Sequence, residues 1–384
     1  MAAQTTVVII GGSYGGLGVA HAVLKGIPDV KVVLINPSKR VYFNLAAPRI
    51  LAKPHEIPAE KYLFPIPDLF KRYPSHLFEF VQGTVKSIDD AGKTVNVQGV
   101  DRSVIPYDYL VIASGSSTKA TQGTGSALAP FKTTGSDDIE TDIKNIQEKL
   151  SRAKSIVIAG AGPVGVEFAA EVAEAFKDKT GTSITLVSAT DHVLPTLKEG
   201  AGAAAERLLQ NLGVNVLISR RVKNAELDAR SNKWSVVLDG DETLTADLYV
   251  STTGVIPNND FIPAKFLTSD GWVVVDSELR AQSSDSSEKG AIYAIGDITN
   301  LPMRLLSRIA DQVSVLVTNL KADIVGQGKH SQYSGNKMTM MVVPVGKSAG
   351  TGQFGSWVPW SFVVTMIKSK NFFIPMAPSF LSAK

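Results

Sequence analysis

Two short glycine-rich stretches carry the residues best suited to chemistry. Gly160-Ala161-Gly162-Pro163-Val164-Gly165 matches the full pattern Gly-x-Gly-x-x-Gly, and Gly11-Gly12-Ser13-Tyr14-Gly15-Gly16 matches it with serine in the middle. In such a turn the first glycine permits the tight bend, the second lets the backbone approach a pyrophosphate, and the third lets helix and strand pack closely. The helix that follows offers unpaired N–H groups and about half a positive charge to that phosphate.

Each stretch sits between elements able to position it. Val7-Val8-Ile9-Ile10 reads as a buried parallel strand before the first turn, Leu17 to Lys25 as a helix after it, and Lys31 to Ile35 as the next strand. Ser155 to Ala159, Val166 to Ala175 and Ser183 to Val187 repeat that order around the second turn. A glycine motif gains its meaning from this strand–turn–helix–strand context. Ser13 departs from glycine: its Cβ narrows the approach to phosphate, while its hydroxyl can donate to it. Asn36 stands where an acid is expected, and its amide oxygen can accept from a ribose hydroxyl more weakly than a carboxylate. Ser188 stands at the matching place in the second unit. With no carboxylate there to repel a 2′-phosphate, NADPH is as admissible as NADH; His192 and Lys198 follow it.

Two dinucleotide units in one chain predict bound FAD at one and NADH or NADPH as co-substrate at the other, with hydride passing from nicotinamide to flavin. Three further strands support this. Tyr107 to Ile112 ends in Ala113-Ser114-Gly115, Leu248 to Thr253 ends in Gly254, and Gly290 to Ile295 ends in Gly296-Asp297. The expected fold is α/β, with two Rossmann-like dinucleotide-binding domains and a small C-terminal α+β region. The FAD domain spans 1–118 and 255–325, split by an NAD(P)H domain over 119–254, with the C-terminal region over 326–384. Asp297 can face the ribityl hydroxyls of the flavin or cap a helix.

Composition narrows the function. The 384 residues are 44% hydrophobic and 20% charged, enough for two or three cored domains. A net charge of +3 with no basic stripe speaks against nucleic acid. Met1-Ala2-Ala3-Gln4 leads straight into a strand, so no signal peptide is expected, and Ala2 fails the myristoylation pattern. Five histidines show no metal-ligand spacing, and no metal is expected. Cysteine is absent. A disulfide relay needs thiolates, so electrons must go directly from flavin to an acceptor such as a quinone or O₂.

Glu167, in the first turns of the second helix, can approach the nicotinamide; the plainer reading is an exposed carboxylate near the positive helix end. Near the C-terminus, Phe354 to Ile367 is apolar and aromatic and is followed by Lys368-Ser369-Lys370. Trp357, Trp360, Val364 and Ile367 recur at helical spacing. Membrane contact at an interface and packing in the core or a homodimer have equal weight. Lys368 can stabilise negative charge on reduced flavin or quinol, or be a solvated lysine. Tyr62 to Pro74 reads as a Pro-punctuated loop with a short helix, or a lid.

Taken together, these motifs resemble the two-dinucleotide-domain flavoproteins of the FAD/NAD(P)-binding pyridine nucleotide-disulfide oxidoreductase superfamily. Within it, the chain is similar to the apoptosis-inducing-factor-like branch, also called the ferroptosis suppressor protein branch. Asn44-Leu45-Ala46-Ala47-Pro48-Arg49, Gly165-Val166-Glu167, Ala294-Ile295-Gly296-Asp297 and the run from Met338 to Ile374 carry the likeness over nearly the whole chain. The resemblance implies FAD, NAD(P)H oxidation and a lipophilic quinone. It implies roles for Glu167, Asp297 and Lys368 and places Arg49 at the cofactor. A cytoplasmic protein is expected, peripheral on a membrane such as the mitochondrial outer surface or a lipid droplet. The rival readings are a flavoprotein signalling module with slow turnover and a soluble reductase for a protein partner.

Overall fold

The structure is a computed structural model and describes residues 4–101, 103–135, 138–285, 290–335 and 338–382. Ala2, which bore on acylation, lies outside the described residues.

Apolar β-branched runs form the strands of two all-parallel sheets. The first has five strands, in the order Ile292–Ala294, Tyr109–Ile112, Thr5–Ile10, Val30–Asn36 and Phe78–Gln82. The second has four, in the order Val214–Leu217, Ser183–Val187, Ser155–Ala159 and Leu248–Ser251. Val7, Val8 and Ile9 are all fully buried, so both faces of the first sheet are covered. Each such side chain contributes roughly 1.5–3 kcal/mol by leaving water.

The first sheet takes strands from both sides of the second in sequence. Two antiparallel crossings, Ser116–Ser117 with Ile256–Pro257, mark where the chain leaves and returns. The glycine helices run from Tyr14 to Gly26 and from Pro163 to Ala175.

The C-terminal region is a hairpin, Met340–Pro344 with Gly350–Phe354, followed by a short helix Ser361–Val364 and a π turn Thr365–Ser369. This corrects the helical spacing read from sequence. Trp357 lies in a turn whose N–H donates to the carbonyl of Phe354, before Pro359 and the helix. Val364 is buried, whereas Trp357, Trp360 and Ile367 are exposed. The four residues therefore do not share one face. Among the described residues no helix is long and apolar enough to cross a membrane. The Tyr62–Pro74 stretch is a short strand, Leu63–Pro65, and a short helix, Ile66–Leu69.

Candidate active site

The two glycine turns are built alike. The N–H of Gly11 donates to Ile35, and that of Gly160 to Val187, each at 2.9 Å. Gly11 and Gly160 have φ of +110° and +105°, the left-handed region that favours glycine. A Cβ on Gly16 would meet the carbonyl oxygen of Gly11 at 1.8 Å, and one on Gly165 that of Gly160 at 1.8 Å. These close approaches bring each helix start hard against its strand. Ser13 and Gly162, at the two N-caps, make no side-chain capping bond. Both helix starts thus keep N–H donors for an anion, and the residues fit a dinucleotide pyrophosphate at each.

The residues at the strand ends differ from expectation in their partners. The amide oxygen of Asn36 accepts the N–H of Gly12 at 2.8 Å, and its amide nitrogen donates to the carbonyl of Ser38. Asn36 therefore braces the turn from below. The Ser188 hydroxyl bonds Thr190 and the carbonyl of His192, and His192 pairs with Asp191. Lys198 is exposed at a helix start, its N–H donating to Gln353.

Ala113-Ser114-Gly115 follows its strand into a small-residue turn. The Ser114 hydroxyl donates to the carbonyl of Asn258, and the Asn258 amide returns a bond to the carbonyl of Ser114. Gly115 and Gly254 both have positive φ, at the points where the chain leaves each sheet for the crossing. Gly296 starts a 3-10 turn with φ of +80°. Asp297 lies within that turn, whose N-cap is Ile295 and not the aspartate. Its carboxylate instead accepts from Lys132 Nζ at 2.6 Å and from the Ser116 hydroxyl at 3.0 Å. Lys132 has no motif around it in the sequence and was not foreseen.

Glu167 and Lys368 come together. Neither is a solvated surface charge: Glu167 is 4% and Lys368 9% exposed, with Lys368 Nζ donating to Glu167 Oε1 at 2.6 Å. Burial raises the Glu167 carboxyl above the ordinary glutamate range, against the pull of the Lys368 ammonium. Phe168, the next residue, meets Phe131 edge-on at 5.0 Å, and Phe131 precedes Lys132. The sequence neighbours of Glu167 and of Lys132 are thus joined by one aromatic contact.

Arg49 has a different set of partners from the one expected. Its guanidinium forks the Glu171 carboxylate through Nε at 2.9 Å and Nη2 at 2.7 Å, and also donates to the carbonyls of Ser369 and Lys370. Lys53 adds bonds to Glu171 and Glu174. Glu167, Glu171 and Glu174 recur at i, i+4 and i+7, so one face of the helix holds three carboxylates against basic groups from elsewhere. That spacing was visible in the sequence; its partners were not.

A family model described as pyridine nucleotide-disulphide oxidoreductase matches residues 5–315. The oxidoreductase ptaL of Pestalotiopsis fici is 34% identical over 97% of both chains. Ferroptosis suppressor protein 1 of Homo sapiens is 26% identical over 96% of this chain and 93% of its own. The sulfide:quinone oxidoreductase of Aquifex aeolicus has the same fold, with a TM-score of 0.78 over 99% of this chain and 93% of that one at 18% identity. The chain belongs to the pyridine nucleotide-disulphide oxidoreductase family, resembles the ferroptosis suppressor proteins over nearly its whole length, and is an FAD-dependent oxidoreductase of NADH or NADPH.

Proposed function

We propose that the protein oxidises NADH or NADPH and delivers the electrons to a quinone-type acceptor without a cysteine relay, at a C-terminal face that lies on a membrane surface. One observation carries this reading. A single π turn puts Lys368 inside, against Glu167, and Met366 outside, beside exposed Trp360 and Phe362. The chemistry of the site and an apolar aromatic surface are thus separated by two residues of chain. The absence of cysteine closes the disulfide route that the family name describes.

FAD, when bound, supplies a hydride acceptor that can pass electrons on to the quinone. The chain's own residues do the rest. The two glycine turns would hold the pyrophosphates, and the Asp297, Lys132 and Ser116 cluster would face the sugar chain of the flavin. Glu167, buried and held above the ordinary glutamate range, accepts from Lys368 Nζ at 2.6 Å and so orients it. Lys368 places a positive charge where negative charge develops on the acceptor. Trp357, Trp360 and Phe362 form a line of ring contacts that suits the headgroup depth of a bilayer.

Anaerobic stopped-flow mixing tests the reading. NADH and NADPH should each bleach the flavin absorbance quickly, and a soluble ubiquinone should restore it quickly. Slow restoration would move the assignment to a signalling flavoprotein with incidental turnover. In parallel, replacing Trp360, Phe362 and Met366 together by serine should abolish liposome binding and spare the bleaching step. Unchanged liposome binding would remove the membrane face.

A further inference from the structure

We propose that Arg49 is a positioning residue for Lys368 and acts on the C-terminal segment instead of on the cofactor. The inference rests on the reading of the Glu167–Lys368 pair as part of the reaction.

Arg49 is 1% exposed, and four of its N–H donor directions are taken by protein acceptors. Two of these acceptors belong to the helix side chain Glu171. The other two, the carbonyls of Ser369 at 2.8 Å and Lys370 at 3.0 Å, end the π turn that carries Lys368. Glu171 lies one helical turn beyond Glu167. The same helix is therefore joined to the same π turn twice, once through Glu171, Arg49 and the carbonyls, and once through Glu167 and Lys368.

The first connection fixes the register of the second. A π turn widens the helix by one residue, so the direction of Lys368 depends on where its carbonyls are held. Phe372 and Phe373 follow with φ of +50° and +60°, a conformation bulky residues keep only when their surroundings hold it. Phe372 is fully buried, with the Arg49 guanidinium 4.6 Å from its ring centre and Lys368 Nζ 5.3 Å from it. Arg49 thus anchors the strained chain after the turn as well as the turn itself. A lysine keeps the charge but lacks the planar fork needed to reach a carboxylate and two carbonyls at once.

The test is a double-mutant cycle on the full-length holoenzyme, reading steady-state turnover of NADH or NADPH with a soluble ubiquinone. Arg49→Lys should keep its full complement of FAD. Its kcat should fall on the order of tenfold at an unchanged KM for the nicotinamide cofactor, because a small displacement of a charged group costs rate more than binding. Arg49→Lys combined with Lys368→Met should be no slower than Lys368→Met alone, since Arg49 acts through Lys368. Loss of FAD from Arg49→Lys would overturn the inference and return Arg49 to the cofactor. Single effects that multiply in the double variant would overturn it too. Lys368→Met with undiminished turnover would instead remove the reading beneath it. Should Arg49→Lys fail to fold, Glu171→Gln, which removes the charge and leaves the carbonyl bonds, enters the same cycle under the same criteria.

Discussion

The first glycine turn is closed over and the second is open. Around the first, the Asn36 amide grips Gly12, and a Cβ on Gly12 would meet the Ile66 side chain at 2.8 Å. Around the second, Val164 is exposed, whereas a Cβ on the matching Gly15 of the first would meet the Ile295 side chain at 3.4 Å, and the Ser188 hydroxyl turns into its own loop. The strand geometry beneath the two turns is the same. The difference lies in what the chain lays on top, and it is the one expected if the first turn keeps its cofactor and the second exchanges its co-substrate.

The sharpest way to break this comparison is to place the same clash in both turns. Gly16→Ala and Gly165→Ala each drive a Cβ into a carbonyl oxygen. Gly16→Ala should yield protein without flavin absorbance. Gly165→Ala should stay yellow but lose bleaching by NADH or NADPH on the order of 100-fold. Loss of flavin from both would erase the distinction.

The helices behind the turns differ in the sign of their response to pH. His21, fully buried on the first helix and stacked on Phe70, is pushed by burial from 6.5 down to about 4, with Arg72 and Lys25 adding to the effect. The folded state binds fewer protons there, so stability from this group is present above pH 6.5 and is lost as pH falls toward 4. The loss is on the order of 3 kcal/mol. Glu167 on the second helix has a raised carboxyl, so its contribution declines as pH climbs from the ordinary glutamate range toward its folded value. Thermal unfolding of His21→Phe should lose the acid-side slope, and Glu167→Gln should gain on the wild type as pH rises through its window. Parallel curves for variant and wild type would contradict the assignment.

The smallest effect separates the two strand-end residues. Asn36→Ala leaves the Gly12 N–H without its acceptor, which costs about 1–3 kcal/mol and should raise flavin loss on dilution. Ser188→Ala should change only the KM for the nicotinamide cofactor, by a few fold, with flavin retention as in the wild type. Equal flavin loss in both would show that the second turn is no more open than the first.

Much of this was legible in the sequence because it is local. The strand at Ser183–Val187 was read to the residue, and both turns announce their backbone demands through glycine. The small-residue strand ends at Gly115 and Gly296 were legible in the same way. What was not legible depends on contacts between distant positions. Arg49 meets Glu171 across 122 residues, and Lys368 meets Glu167 across 201. No periodicity records such pairs, and Arg49 was assigned to the cofactor by likeness. Lys132 sits in an irregular segment with no pattern to mark it. The C-terminal stretch misled for another reason: Pro359 delays the helix and the π turn shifts its phase, so a 3.6-residue spacing holds only until the backbone departs from it.

The return of Ile292–Ala294 to the side of Tyr109–Ile112 sets a timetable for synthesis. The second sheet is complete once Ser251 has left the ribosome and can form as a unit. The first cannot, because the edge at Tyr109–Ile112 waits for a neighbour that emerges after residues 113–291. At roughly 5–20 residues per second, that wait is on the order of ten to forty seconds. Throughout it, a strand built to be covered on both sides stands open at one edge, exposed to pairing with other chains. The second sheet can thus be complete while the first still lacks its last strand.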